Sequence, residues 1–80
     1  MKILKFYADW CGPCKELSKW LNNKDHDHEI VDINIEDNRD MVEHYGIRGV
    51  PTMIMLDNDD SVKKTVVGFN IPKVEQFLQI

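Results

Sequence analysis

The chain has 80 residues, of which 42% are hydrophobic and 30% charged, and its formal net charge is −4. These values fit one small globular domain, residues 1–80, with a thin core. Mild acidity argues against nucleic acid as the main partner, and no apolar run approaches the length of a membrane span.

The charge is unevenly spread. Residues 1–24 sum to +3, residues 25–60 to −9 and residues 61–80 to +2. The opening MKILKFYADW is too short an apolar run, and too soon interrupted by charge, to be a secretory leader. The expected compartment is the cytoplasm. Structural disulfides are rare there, so two cysteines point to metal binding, redox chemistry or simple burial.

Taken in chain order, Ile3 to Ala8 is apolar and aromatic enough for a strand. From Cys11 to about Asn23, the residues Cys14, Leu17, Trp20 and Leu21 recur at helical spacing, and Asn22 and Asn23 offer a stop. Glu29 to Ile35 alternates as a strand. Asp37 or Asn38 is placed to cap a short helix ending near Tyr45, with Gly46 as a left-handed C-cap. Thr52 to Leu56 reads as a buried strand, Asp57 to Asp60 as a turn and Val62 to Val67 as a second strand, which together make a hairpin. Gly68 breaks the hairpin. Asn70 is placed to cap a last helix with Pro72 in its first turn and Val74, Phe77 and Leu78 as its apolar stripe.

The order is therefore β-α-β-α-β-β-α. Strand, helix and strand imply a right-handed parallel unit, and the hairpin adds antiparallel strands. The expected fold is α/β, a mixed four-stranded sheet with helices on both faces. Trp20 is a candidate surface patch, and a monomer is the expected state.

The stretch DWCGPC, residues 9–14, holds both cysteines at a strand-to-helix junction. A thiol at a helix N-terminus meets free N–H groups and the positive end of the helix dipole, which favour its thiolate. A second thiol one turn along is close enough to close a disulfide. Pro13 falls in the first turn, where a missing N–H costs nothing, and Gly12 leaves room for another protein's backbone. This assigns Cys11 as the exposed nucleophile and Cys14 as the more buried resolving thiol. The alternative is a metal site. One Cys-x-x-Cys supplies two thiolates where zinc takes four ligands. His26, His28 and His44 come without a second such pair, so no metal is assigned. The DHDH run, residues 25–28, reads as a solvated loop, and His44 as a helix-surface residue.

WCGPC, residues 10–14, resembles the active site of the thioredoxin family. A second stretch agrees independently: YGIRGVPT, residues 45–52, is similar to the segment that carries the family's cis-proline, placing Pro51 there. Gly68 falls at a family glycine position. The resemblance covers nearly the whole chain from Ile3. It implies a thioredoxin fold, reduction of disulfides in protein substrates, no cofactor beyond the Cys11–Cys14 disulfide, and recharging by a thioredoxin reductase. It also implies that Trp10, Val50, Pro51 and Gly68 line a groove for extended substrate segments. Ribonucleotide reductase is a client by family analogy only. A trans Pro51 is the alternative to a cis one. Gly49 and Gly68 serve either close backbone approach or plain turns.

The sequence departs from the family in three respects, one of them Lys19 at the position of a proline found in many thioredoxins. The strand and helix that usually precede the active-site strand are missing, which leaves a frame the size of a glutaredoxin. The family's buried aspartate, six residues before the first cysteine, is replaced by Lys5, and the lysine of the neighbouring strand by Asp32. Exchange of both signs suggests a reversed ion pair under the active site, tuning Cys11 and Cys14 together with Trp10, Gly12 and Pro13. The alternative is that Lys5 snorkels to solvent. Two other functions are considered. One is a glutaredoxin-like redoxin recharged by glutathione, with Lys2, Lys5 and Lys15 as carboxylate ligands. Gly12-Pro13 and the lone glycine of Val67-Gly68 argue against it. The other is a non-catalytic partner-binding module, which the intact cysteine pair disfavours.

Overall fold

In the computed structural model, which describes residues 2–79, the elements follow the expected order. They are β1 (Lys2–Tyr7), α1 (Gly12–Asn22), β2 (Glu29–Asn34), α2 (Arg39–Tyr45), β3 (Thr52–Leu56), β4 (Val62–Val67) and α3 (Ile71–Leu78). The sheet order is β2-β1-β3-β4. β1 and β2 run parallel, with Lys5 opposite Asp32, and the other two pairings are antiparallel.

The two sheet faces bury separate cores, because alternate residues of a strand point to opposite sides. On one face Ile3, Met53, Met55 and Val66 pack with Leu17 and Leu21 of α1 and with Val74 and Phe77 of α3. On the other face Leu4, Phe6, Ile33, Ile54 and Leu56 pack with Met41, Val42 and Tyr45 of α2 and with Ile47. β3 lies inside the sheet and is buried along its whole length, which explains its unbroken TMIML run.

The ends of the elements follow local chemistry. Asn70 Oδ1 accepts from the Lys73 amide at 3.1 Å and caps α3, with Pro72 in the first turn. Gly46 closes α2 at φ 65°. Asn38 stands at the N-cap position of α2, but its side chain does not cap the helix. Its Nδ2 donates instead to Asn34 O at 2.9 Å, which ties α2 to the end of β2.

Two expectations about the surface are corrected. Trp20 is no open patch: it packs edge-on against Phe69 at 6.4 Å, with the Lys24 ammonium 5.0 Å from its ring centroid. The DHDH run is more than a solvated loop. His26 and His28 are half-buried and stack at 5.9 Å. His28 Nε2 lies 2.9 Å from Leu78 O, and His26 Nδ1 accepts from the His28 amide at 3.2 Å. The α3 carbonyls that lack an intrahelical partner attract ring N–H donors, and this fastens the α1–β2 connection to the end of α3. His44 is exposed on α2, as expected.

Candidate active site

β1 ends at Tyr7, and the chain turns through Asp9 and Trp10 into α1. The Cys11 amide donates to Ala8 O at 3.1 Å, which fixes the turn. Cys11 is the N-cap of α1, and its Sγ accepts from the Cys14 amide at 3.1 Å. A thiolate sulfur at this position takes the place of the usual hydroxyl or carboxylate cap and meets one of the free N–H groups of the first turn. Cys11 and Cys14 are joined as a disulfide with their Cα atoms 5.3 Å apart.

The expected contrast in exposure is not found. Cys11 is 4% exposed and Cys14 3%, so Cys11 is not an exposed residue in this disulfide form. Ala8, Cys11 and Cys14 form a small cluster of their own, covered by Tyr7, Ile35 and Val50. The two cysteines differ in their surroundings rather than their exposure. The Cys11 sulfur caps the helix, whereas Cys14 lies on the inner face of α1, in line with buried Leu17 and Leu21.

The rim is open. Trp10 is 69% exposed, and Gly12 and Pro13 are exposed beside it. A methyl group added at Gly12 meets nothing within 4 Å, so the fold itself does not require glycine there. Across the cluster the Val50–Pro51 peptide is cis; Val50 is half-buried and Pro51 buried. Thr52 Oγ1 donates to Gly49 O at 2.7 Å, and the Gly68 amide donates to Pro51 O at 2.7 Å. Gly68 therefore ties the end of β4 to the proline turn. It does so at φ 83°, a conformation that favours glycine, and an added methyl group would meet no atom of the fold within 4 Å. Gly49 has the same open space.

Lys5 lies on β1 on the face covered by α1, and only 6% of it is exposed. Its ammonium is 2.9 Å from an Asp32 carboxylate oxygen and donates to Ser18 Oγ on α1. It does not snorkel to solvent. The pair is one-sided, however: the Lys5 side chain is 8% exposed and that of Asp32 58%. The cation is enclosed and its counter-ion faces water. Ser18 had no place in the sequence reading of the site, although its position four residues after Cys14 on one helix face was available as a signal. Ile35 was missed as well; it follows β2 directly and covers the cysteine cluster.

Among the described residues no group of three or more His, Cys, Asp or Glu side chains is placed to hold a metal ion. The arrangement can cycle between a dithiol and a disulfide beside an open rim.

This site on this fold defines a structural class, mixed α/β sheets with a Cys-x-x-Cys pair at the N-terminus of the helix that follows a strand. The thioredoxin family model matches residues 1–79, and the chain belongs to that family. It is 37% identical over 70 residues to a thioredoxin of Pseudomonas aeruginosa, covering 82% of this chain and 64% of that protein. A thioredoxin of Bacillus subtilis is 37% identical over 71 residues, covering 84% and 67% of the two chains. The solved structure of reduced Schistosoma mansoni thioredoxin superposes with a TM-score of 0.81 at 34% identity, covering 96% of this chain and 74% of that one. The chain spans about half the length of Thioredoxin-T of Drosophila melanogaster, at 51%.

Proposed function

We propose that the protein is a thiol-disulfide oxidoreductase that reduces disulfides in protein substrates and is recharged by a thioredoxin reductase. The observation that carries this reading is Cys11 at the N-cap of α1, its sulfur taking the Cys14 amide hydrogen and bonded to Cys14 across one turn. The same N–H and the helix dipole stabilise a Cys11 thiolate when the pair is reduced.

That thiolate attacks one sulfur of a client disulfide. The Cys11–client bond forms, the client's own S–S bond breaks, and the departing client sulfur leaves with the electron pair and takes a proton from solvent. Cys14, as thiolate, then attacks Cys11 Sγ. The Cys11–Cys14 bond forms, and the second client sulfur leaves as a thiolate and is protonated. Two electrons pass to the client, and the protein is left in the disulfide form described above.

In this reading Trp10, Val50, Pro51 and Gly68 receive an extended client segment; in support, Val50 packs against the cysteine cluster, Trp10 is exposed next to Cys11, and the Gly68 amide is bonded to Pro51 O. Lys5 and Asp32 tune the pair from below, and Gly12 and Pro13 shape the first turn. The protein acts as a monomer of one domain in the cytoplasm and needs neither metal nor further cofactor. No helix among the described residues is long and apolar enough to cross a membrane.

Recycling tests the proposal. Oxidised protein is supplied with NADPH and a thioredoxin reductase, or with glutathione and glutathione reductase, while reduction of a protein disulfide is followed. Turnover with the first system alone is expected. Turnover with glutathione alone would replace the electron source with a glutaredoxin-type one. A Cys11→Ser, Cys14→Ser double variant that kept biological activity would point to the non-catalytic module instead.

A further inference from the structure

We propose that Ser18 is a positioning residue for the resolving thiol: it holds the Lys5 ammonium one helical turn from Cys14 and hydrogen-bonds the Cys14 thiolate once the disulfide is open. This rests on the dithiol cycle proposed above.

Residues four apart on a helix have Cβ atoms about 5–6 Å apart, and helical side chains lean toward the N-terminus. Ser18 therefore leans into the turn that carries Cys14. Its hydroxyl oxygen is taken by the Lys5 ammonium. Its own hydrogen donates to no other group in the hydrogen bonds of the described residues, so it is free to rotate toward Cys14. Both cysteines and Lys5 are buried and Ser18 is half-buried, so water competes only in part for the groups around the hydroxyl. Asp32 offsets the Lys5 charge only in part. Its carboxylate is more than half exposed and screened by solvent, whereas the ammonium it meets is enclosed.

The step affected is release of the client. Cys14 loses its proton to solvent, and its electron pair attacks Cys11 Sγ. Ser18 transfers no proton. It donates a hydrogen bond to the thiolate and holds a positive charge near it, so more of Cys14 is ionised at neutral pH. A cation and a hydroxyl together supply here an environment that favours the attacking form.

The test uses the full chain carrying Cys11→Ser, which leaves Cys14 as its one thiol, and follows thiolate ultraviolet absorbance as pH is raised. Ser18→Ala in this background is expected to raise the Cys14 midpoint by about one pH unit, the effect of one charge-assisted hydrogen bond. Alanine favours helix, so α1 is retained. Ser18→Thr keeps the hydroxyl and is expected to keep the parent midpoint. Lys5→Met is a second measurement: it too is expected to raise the midpoint, and adding Ser18→Ala to it is expected to have a smaller effect than alone. An unchanged midpoint in Ser18→Ala, or an equal rise in Ser18→Thr, overturns the proposal. Loss of turnover with thioredoxin reductase would refute the electron source and leave these midpoints unaffected, so the two failures are distinguishable.

Discussion

Removing either partner of the Lys5–Asp32 pair is expected to have unequal consequences. The ammonium and carboxylate are 2.9 Å apart, but the side chains are 8% and 58% exposed. Exposure of Asp32 screens the attraction, so the pair itself contributes about 1 kcal/mol or less. Asp32→Asn leaves a cation enclosed between β1 and α1 with Ser18 as its remaining partner. Breaking a fully buried pair in this way costs about 3–5 kcal/mol. Water that reaches Asp32 also relieves Lys5, so the expected cost is about 1–2 kcal/mol. Lys5→Met removes the enclosed charge, keeps most of the volume and leaves Asp32 in solvent. Its expected effect lies within about 1 kcal/mol of zero and is stabilising where methionine packs well. Urea unfolding of the oxidised variants at neutral pH, read from the midpoint at an unchanged m-value, measures both. A Lys5→Met variant less stable than Asp32→Asn would refute the reasoning, because it would mean that the pair is worth more than the burial of its cation.

Gly68→Ala is expected to cost about 1–2 kcal/mol in the same assay, from φ 83° alone, since the added methyl meets nothing within 4 Å. Asn70→Ala removes the bond to the Lys73 amide and is expected to cost about 1 kcal/mol, with Asn70→Asp retaining most of it. The Asp59 carboxyl accepts from the Ser61 hydroxyl at 2.6 Å and from its amide at 3.1 Å, and these hold its pKa below the ordinary aspartate value. A depressed carboxyl stabilises the fold above the ordinary aspartate range, and that contribution is lost as pH falls through the lowered value. Ser61→Ala is expected to raise the Asp59 titration midpoint, followed by NMR, toward the ordinary aspartate value.

Elements with a strong local signal were legible in the sequence. TMIML places β3 to the residue and the asparagine-proline signal places the start of α3, because a fully apolar run and a side-chain cap are local properties. The cysteine pair was legible for the same reason: its chemistry follows from a helix N-terminus, and the strand and helix on either side of it are plain. The burial of Cys11 was not. It depends on Tyr7, Ile35 and Val50, which arrive from three separate segments. Nor was the His28 contact with Leu78, which joins residues 50 apart in sequence. Asn38 is a third case. It has the right type and place for a cap, yet the nearby Asn34 carbonyl takes its side chain.

The Lys5–Asp32 pair lies between these cases, and topology explains why. Parallel pairing sets Lys5 opposite Asp32, a register the alternating pattern of the two strands already favours. Nothing local says which of the two strands lies inside the sheet. In the order β2-β1-β3-β4, β1 has a neighbour on each side and β2 has one. Lys5 therefore sits on an inner strand beneath α1, and Asp32 on an edge that water reaches. With the usual signs, an acid on the inner strand would be enclosed and its lysine exposed. Here the cation is enclosed. In the role proposed for Lys5, an ammonium so placed favours a thiolate on Cys14 where a carboxylate would oppose it. Exchanging the signs across one register position changes the charge of the enclosed group and keeps the parallel pairing of β1 with β2.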